Sequence, residues 1–382
     1  MPDYQISVIL PVYNAKAVLP RALESLQRQT LGFAQLEVLL ADDCSTDGSW
    51  ELVQQYARQY PNVRALQTPG NSGSASVPRN LAMAQAAAPY LMFLDNDDTF
   101  APDGCAALLR EMQASGADLV TGYFRDVLPD QTPINDRSPS CAVTEARKVY
   151  EFPRDYAIMH EVRQIFWCKL YKTALVRASG LSFKPGSNME DVLFLARYLM
   201  ACQTMVFCNV PVYNYTVSPD SLSHLCDTRY LQHRAEDIEE LRRIYTEAGH
   251  PDCFDRQCPA DADHYVSLIF TSDRIADPAD RLALLAAWRP LVRYTLAHGL
   301  YVESEAERAL FAQLAQGDAA AFAAAFPLYL LQREHRELTH MRSEVERLNR
   351  AYQAVAADNR ALCAKIERIP GYKLMQRWKG KR

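Results

Sequence analysis

Residues 90–98 read YLMFLDNDD, an apolar run of strand length that ends abruptly in four polar residues. A short apolar run of this kind is typical of a strand that is buried on both faces. The polar residues cannot continue the strand inside a core, so they mark its end. Asp95, Asp97 and Asp98 are therefore predicted to lie together at the carboxyl end of a buried strand.

Similar runs occur earlier in the chain and alternate with helical patterns. Residues 6–10 (ISVIL), 37–41 (EVLLA) and 63–67 (VRALQ) have strand length, whereas residues 15–29 and 47–60 have helical periodicity. Strands that alternate with helices predict an α/β, Rossmann-like fold with a mainly parallel sheet covered on both faces.

The carboxyl ends of parallel strands form one edge, where open α/β sheets bind ligands. The first strand leads into PVYNAK, which contains no glycine, and this argues against a P-loop and against a dinucleotide fingerprint. A bound pyrophosphate would then need a divalent cation, and Mg²⁺ and Mn²⁺ prefer oxygen ligands. Asp95, Asp97 and Asp98 offer such ligands. The alternative is an ordinary Asp-rich turn or helix cap.

Composition limits the class of protein. The 382 residues are 49% hydrophobic, enough for about two domains, and the net charge of −5 gives no basic field for nucleic acid. Neither a signal peptide nor a membrane span is predicted. The ten cysteines contain no CxxC pair, so we expect reduced, mostly buried thiols and no zinc site.

The C-terminal part contains a seven-residue repeat of apolar positions. One series comprises Leu331, Leu338, Val345, Tyr352, Asn359 and Ile366, and another, three positions on, comprises Met341, Leu348, Val355, Leu362 and Ile369. This spacing predicts a coiled coil that joins two copies of the chain, or three. Asn359 favours a defined register and a parallel dimer. The alternative is a long helix packed on its own body.

The chain is therefore divided into four predicted parts. Residues 1–225 form the α/β domain, residues 226–327 an all-α region, and residues 328–369 the coiled-coil helix. Residues 370–382 form a tail with five basic and no acidic residues and interleaved aromatic side chains. The tail predicts peripheral contact with an anionic membrane surface, and a disordered basic terminus is the alternative. We expect a cytoplasmic protein, peripheral at the inner face of the plasma membrane.

Five motifs taken in order resemble glycosyltransferase family 2, with the GT-A fold, over residues 5–217: SVILPVYNA, ADDCSTDGS, NSGSASVPRN, YLMFLDNDD and NMEDVLF. The third motif is similar to the branch of polyol-phosphate (teichoic acid) and capsule glycosyltransferases. The resemblance implies an inverting, metal-dependent transfer of a hexosyl or N-acetylhexosaminyl group from a UDP-sugar. The acceptor would be a hydroxyl of a bacterial surface polysaccharide or polyol-phosphate polymer.

Two other functions were weighed. A sugar nucleotidyltransferase shares the sheet type and the acidic metal site, but it would normally have a Gly-rich loop after the first strand. A non-catalytic scaffold would combine a degenerate transferase domain with the coiled coil, and the intact acidic residues argue against it.

The resemblance also implies nucleotide contacts, which fall on Pro11, Tyr13, Asp42, Asp43, Asn71, Arg79, Asp95 and Asp97. Tyr13 would stack near the nucleobase, and Asp43, with Asp42 beside it, would accept the uracil imide N–H. Arg79 would anchor the nucleotide or, alternatively, form a structural salt bridge to the aspartates.

The remaining implied roles concern metal and catalysis. Asp95 and Asp97 match the family's DxD motif, Asp98 extends it, and His224 would complete the metal shell unless it is an ordinary loop histidine. Glu190 and Asp191 match the family's acidic pair at the start of a helix. Asp191 would be the general base that takes the acceptor proton, and Glu190 would bind sugar hydroxyls.

Overall fold

The computed structural model describes residues 3–138, 143, 145–156, 165–217, 227–257, 261–300 and 304–367, with backbone alone for 351–367. His224 and the predicted tail at residues 370–382 lie outside the described residues, so the structure does not bear on them.

The described residues form a nine-stranded sheet flanked by helices. The strands are β1 Ile6–Val12, β2 Leu36–Asp42, β3 Val63–Gln67, β4 Tyr90–Phe93, β5 Thr99–Phe100, β6 Leu119–Val127, β7 Arg147–Glu151, β8 Lys169–Lys172 and β9 Thr204–Thr216. Their order is β3-β2-β1-β4-β8-β6-β9-β5, and β7 pairs with β9. This α/β architecture confirms the prediction from the sequence.

The helices fall into two groups along the chain. The first group is α1 Leu19–Gln27, α2 Ser49–Gln59, α3 Ser76–Gln85, α4 Gly104–Ser115, α5 Thr173–Ala178 and α6 Glu190–Ala201. The second group is α7 Thr228–Glu247, α8 Pro251–Gln257, α9 Asp261–Thr271, α10 Pro278–Ala297, α11 Glu305–Gln316 and α12 Ala319–Glu367. The second group is the predicted all-α region, and it ends in the predicted long helix.

The parallel part of the sheet comprises β3, β2, β1 and β4. All seven residues of β1 and of β2 are buried, because both faces of these strands are covered. Val12 lies opposite Asp42, and Asp42 lies opposite Gln67. The carboxyl ends of these strands therefore open onto one edge of the sheet.

A register shift in the pairing of β6 with β9 carries the last residues of β9 towards this polar edge of the sheet. The pairing of β6 with β9 is irregular between Thr121 and Phe124. Gly122 permits the close approach, because a Cβ there would lie 2.4 Å from Cγ2 of Val212. After the shift, β9 runs beside the residues that follow β4, so its last residues reach the polar edge.

The strand β7 is not among those that the sequence predicts. It comprises Arg147–Glu151 and pairs antiparallel with β9. Its sequence, RKVYE, does not alternate polar and apolar residues, and its pairing partner lies more than fifty residues later in the chain.

The structure also bears on the state of the cysteines and on membrane-spanning helices. The cysteines whose side chains are described are free thiols: Cys44, Cys105, Cys168, Cys202, Cys208 and Cys253. Within the described part of the chain, no helix is both long enough and apolar enough to cross a bilayer.

Candidate functional site

A cleft of about 440 Å³ opens at the carboxyl ends of β1, β2 and β4. Its lining includes seven predicted site residues: Pro11, Tyr13, Asp43, Arg79, Asp95, Asp97 and Asp98. Tyr13 is half exposed at the cleft, with 48% of its surface accessible. The structure thus brings together residues from three separate strand ends.

Hydrogen bonds join the loops after β1 and β2. Asn14 accepts from the backbone N–H of Thr46 (2.8 Å), and its own N–H donates to Oγ of Ser45 (3.0 Å). Asn14 has φ of 46°, in the left-handed region, which asparagine tolerates better than most residues. This contact fixes the wall of the cleft that carries Tyr13.

Asp43 organises the Gly/Ser-rich loop after β3. Its Oδ2 accepts from both the N–H (3.0 Å) and the hydroxyl (2.8 Å) of Ser72, and its Oδ1 accepts from Thr68 (2.8 Å). Among the described residues, Oδ1 accepts this single side-chain bond. A carboxylate oxygen has two acceptor sites, so Oδ1 retains capacity for a ligand donor.

Two predicted nucleotide contacts lie away from the cleft lining. Asp42 is fully buried and accepts from Ser45 N–H (3.1 Å) and Gln67 (3.0 Å), so it shapes the turn after β2. Asn71 is exposed and accepts from Gly73 N–H (2.7 Å). Both residues therefore hold the loops that line the cleft.

The end of β9 supports the aspartate turn at residues 95–98. Tyr213 donates its hydroxyl proton to Oδ2 of Asp98 (2.8 Å) and accepts from the N–H of Asp95 (3.1 Å). Thr216 donates its N–H to Oδ1 of Asp98 (2.7 Å) and its hydroxyl to the carbonyl of Asp97 (2.7 Å). The turn is thereby fixed by residues that sequence motifs do not mark.

These bonds distinguish Asp98 from its neighbours. Asp98 is only 2% exposed, and both of its oxygens accept protein hydrogen bonds. Burial, followed by the charges of Asp97 and Asp95, raises the pKa of Asp98 well above its usual range. The carboxylates of Asp95 and Asp97 are more accessible, and burial and then Asp95 raise the pKa of Asp97.

Arg79 connects the aspartate turn to the predicted catalytic pair. Its Nη2 lies 2.6 Å from Oδ1 of Asp95, and its Nη1 lies 3.4 Å from Oε1 of Glu190. The guanidinium also lies over the ring of Phe166, 4.5 Å from its centroid. Burial would lower the pKa of Arg79, but Asp95 and Glu190 raise it. The predicted salt bridge is therefore present.

Glu190 and Asp191 occupy the first turn of α6, as predicted. Burial raises the pKa of both carboxyl groups. The positive charges of Arg79 and then of Arg234, in α7, favour the charged form of Asp191. The segment just before α6 is held by Asp237, which is 1% exposed.

Asp237 accepts three hydrogen bonds from that segment. They come from Nζ of Lys184 (2.9 Å), the hydroxyl of Ser187 (2.7 Å) and the N–H of Asn188 (2.9 Å). A buried carboxylate with three donors is firmly placed. The helical region thus positions the start of α6 and the acidic pair on it.

Sequence reasoning missed several residues of the site. Asn96 donates to the carbonyl of Pro11 (3.2 Å), and Arg21 donates to the carbonyl of Asp97 (2.5 Å). Trp167 is 6% exposed and stacks on Tyr213, with ring centroids 4.4 Å apart. It supports the aspartate turn through Tyr213. Of these residues, only Asn96, within the DNDD motif, could have been recognised from the sequence.

The donor set fits a hard divalent cation completed by phosphate oxygens. Asp95 and Asp97 provide two carboxylates at the cleft, and such ions often use one or two carboxylates together with substrate phosphates. Among the residues that the structure describes, no three or more His, Cys, Asp or Glu side chains form a complete metal cage.

Comparisons with known proteins agree on this architecture. The family model for Glycosyl transferase family 2 matches residues 7–180. A poly(ribitol-phosphate) beta-glucosyltransferase of Bacillus spizizenii is 26% identical over 63% of this chain, and a poly(ribitol-phosphate) beta-N-acetylglucosaminyltransferase, TarS, of Staphylococcus aureus is 27% identical over 56%. The chain spans 38% and 35% of the lengths of these two relatives.

Solved structures extend the likeness beyond the family model. The crystal structure of residues 1–349 of S. aureus TarS with UDP-GlcNAc aligns with a TM-score of 0.67 and 20% identity. The alignment covers 86% of this chain and 92% of that structure. It shows a common fold for both the α/β domain and much of the helical region.

Proposed function

We propose that the chain, whose residues 7–180 match the family model for Glycosyl transferase family 2, transfers a sugar from a UDP-sugar to a hydroxyl of a polyol-phosphate polymer, with inversion. The observation that carries the proposal is the continuous contact from Asp95 through Arg79 to Glu190, beside Asp191. This contact connects Asp95, which is proposed to face the diphosphate, with the acidic pair that contains the proposed base.

The proposed nucleotide end comprises Tyr13, Pro11 and Asp43. Tyr13 is half exposed at the rim, so its ring is available for stacking on a nucleobase. Asp43 lies in the lining with acceptor capacity at Oδ1, which suits the imide N–H of uracil.

The proposed diphosphate end comprises Asp95 and Asp97. These two carboxylates would hold Mn²⁺ or Mg²⁺, which when bound neutralises the charge of the leaving diphosphate. Asp98 remains a predicted ligand, but its two hydrogen bonds suit a supporting role better, so we assign direct coordination to the other two.

Asp191 is the proposed general base. Inversion requires a base on the face of the sugar opposite the leaving group, where it takes the proton of the attacking hydroxyl. Burial raises the pKa of Asp191, which makes its carboxylate a better proton acceptor near neutral pH. Glu190 is held by Arg79 and is proposed to bind sugar hydroxyls.

The acceptor class is proposed from the two curated relatives, whose names specify poly(ribitol-phosphate). A non-catalytic scaffold remains the competing proposal. It predicts that the cleft binds nucleotide weakly or not at all and that the purified chain turns over no donor.

Turnover and binding of a donor panel distinguish these proposals. Purified full chain would be given UDP-, GDP- and TDP-sugars, with Mn²⁺ or with chelator, and both hydrolysis and UDP affinity would be measured. We expect metal-dependent turnover of one UDP-sugar. Asp97→Ala should abolish turnover, and Asp191→Asn should retain UDP binding but lower kcat by more than about 100-fold.

Asp273→Asn provides the matched control, because Asp273 is an exposed carboxylate outside the cleft. This variant should behave as the native chain does. Absence of binding for every nucleotide sugar, with or without metal, would overturn the catalytic proposal and support the scaffold. Full activity of Asp191→Asn would overturn the assignment of the base alone.

A further inference from the structure

The apolar anchoring of the long helix α12 on the body of the protein ends at residue 330, and Arg333 adds an ion pair with Asp263 (2.8 Å). The first part of the helix is anchored by Phe322, Phe326 and Tyr329, which are all buried. From residue 331 to residue 350 every side chain is exposed or partly exposed. The helix continues to Glu367, so about 55 Å of it extends beyond the anchored part.

An apolar seam runs along this extension. Leu331, Leu338, Met341, Val345 and Leu348 are between 51% and 64% exposed, at a and d positions of successive heptads, and Glu334, at the first d position, interrupts the apolar series. In sequence, the repeat continues to Ile366. A contiguous row of exposed large apolar side chains is unusual for a monomer, and an isolated helix gains little stability without a packed face.

The charges that flank the seam identify the partner. In a parallel pair in register, each g residue faces the e residue of the next heptad in the other chain. Glu337 at g would face Arg342 at e of the second copy, and this attraction would occur twice by symmetry. Glu344 at g would face the neutral Asn349 of the second copy. Among the described side chains, the g–e pairs of this arrangement include no like-charge pair, whereas Glu334, at the first d position, would face Glu334 of the second copy.

The antiparallel arrangement is less favourable. There g residues face g residues: with the two helices fully overlapped, Glu337 would face Lys365 and Glu344 would face Asp358, so the attraction and the repulsion offset each other. Asn359 at an a position adds a second argument, because paired a-position asparagines favour two parallel strands in register. The sequence pattern and the exposed seam therefore both indicate a second copy of this chain as the partner of α12.

We propose that residues 331–367 pair in parallel and in register with the same segment of a second copy of this chain, as a two-stranded coiled coil. Both α/β domains would then lie at the same end of the rod. This inference depends on the seam and its charges, and it holds whether or not the proposed catalytic activity is correct.

Charge exchange at the flanking positions tests orientation and partner together. Sedimentation equilibrium of the full chain should give a dimer. Glu337→Arg and Arg342→Glu should each raise the dimer dissociation constant about tenfold, because two attractions become repulsions. The double variant should return to within about threefold of the native value, since the attraction is restored with reversed sign.

Glu346→Arg is the matched control, because it makes the same charge change at a b position away from the seam. It should leave the dissociation constant unchanged, and helix content measured by circular dichroism should be similar for all variants. A monomer up to about 100 µM, or a trimer, would overturn the proposal. So would a failure of the double variant to recover the native dissociation constant, which would show that Glu337 and Arg342 of the two copies do not face each other.

Discussion

Arg79 Nη2 lies 2.6 Å from Oδ1 of Asp95, and the same guanidinium contacts Glu190 through Nη1. One buried cation therefore separates two carboxylates that belong to distant parts of the chain. Without it, Asp95 and Glu190 would face each other at the cleft with no compensating charge. We therefore expect Arg79 to affect both the free energy of unfolding and the proposed activity, and separate measurements can distinguish these two effects.

Arg79→Ala should lower the free energy of unfolding by about 2 kcal/mol, because removal of one partner leaves the carboxylates uncompensated. The accessibility of Asp95 and Glu190, about a quarter each, keeps the loss below that of a fully buried pair. Chemical denaturation would measure it. Arg28→Ala, which breaks an exposed pair with Glu24, should cost less than about 0.5 kcal/mol. Equal losses in the two variants would contradict the bridging role.

The pH dependence of kcat should report Asp191. A base must be deprotonated, so kcat should rise with pH through the pKa of Asp191, which burial raises above its ordinary value. Arg234 favours the charged carboxylate, so Arg234→Gln should raise the pKa of Asp191 further and move this limb to higher pH. Arg243→Gln, an exposed change in the same helix, should leave the limb in place. A shift to lower pH for Arg234→Gln would refute the assignment.

Replacement of Asp98 by asparagine should disturb the protein less than its replacement by alanine. Asp98→Asn can still accept from the N–H of Thr216 and donate to the hydroxyl of Tyr213, so activity should change by less than about threefold. Asp98→Ala leaves both partners unpaired and should lower the free energy of unfolding by about 3 kcal/mol. Metal-dependent turnover and denaturation would be compared. Loss of turnover in Asp98→Asn as complete as in Asp97→Asn would show direct coordination instead.

Asp237 should affect catalysis more than nucleotide binding. Asp237→Ala removes three bonds from the segment that leads into α6, so Glu190 and Asp191 lose their placement. We expect kcat to fall about 10- to 100-fold. The Kd for UDP should stay within about twofold, because the nucleotide end of the cleft is unaffected. Glu236→Ala, at an exposed neighbouring position, is the control, and a parallel rise in Kd would contradict the positioning role.

Tyr13 should contribute through its ring and not through its hydroxyl. Tyr13→Ala should raise the Kd for UDP about tenfold, since base–aromatic stacking contributes about 1–3 kcal/mol. Tyr13→Phe should bind as the native chain does. Calorimetric titration with UDP and with pyrophosphate would separate the two ends of the ligand, because pyrophosphate affinity should not change. Loss of affinity in Tyr13→Phe would point to a hydrogen bond.

The sequence predicted those parts of the site that local patterns specify. Apolar runs identified β1, β2 and β4, and the polar residues after them identified the cleft. The helix that begins at Glu190 was also predicted from its pattern. In each case a few consecutive residues determine the element, so neighbours in sequence were sufficient.

The supporting residues could not be predicted in this way. Tyr213 and Thr216 reach the aspartate turn from more than 110 residues away, through a pairing of β6 with β9 that depends on a register shift. Asp237 lies in an amphipathic helix whose sequence carries no motif. Long-range pairing and burial decide which of many polar residues becomes a support, and neither is encoded in local periodicity.

The three hydrogen bonds that Asp237 accepts also determine where this protein can be recombined with a relative. The recognisable family segment ends at residue 180, ten positions before Glu190, whereas the contacts that hold the acidic pair extend into α7. A chimera joined at residue 180 would combine the cleft of one parent with the acidic pair and the Asp237 contacts of the other. A junction after Glu247 would keep the cleft, the acidic pair and α7 within the segment of one parent.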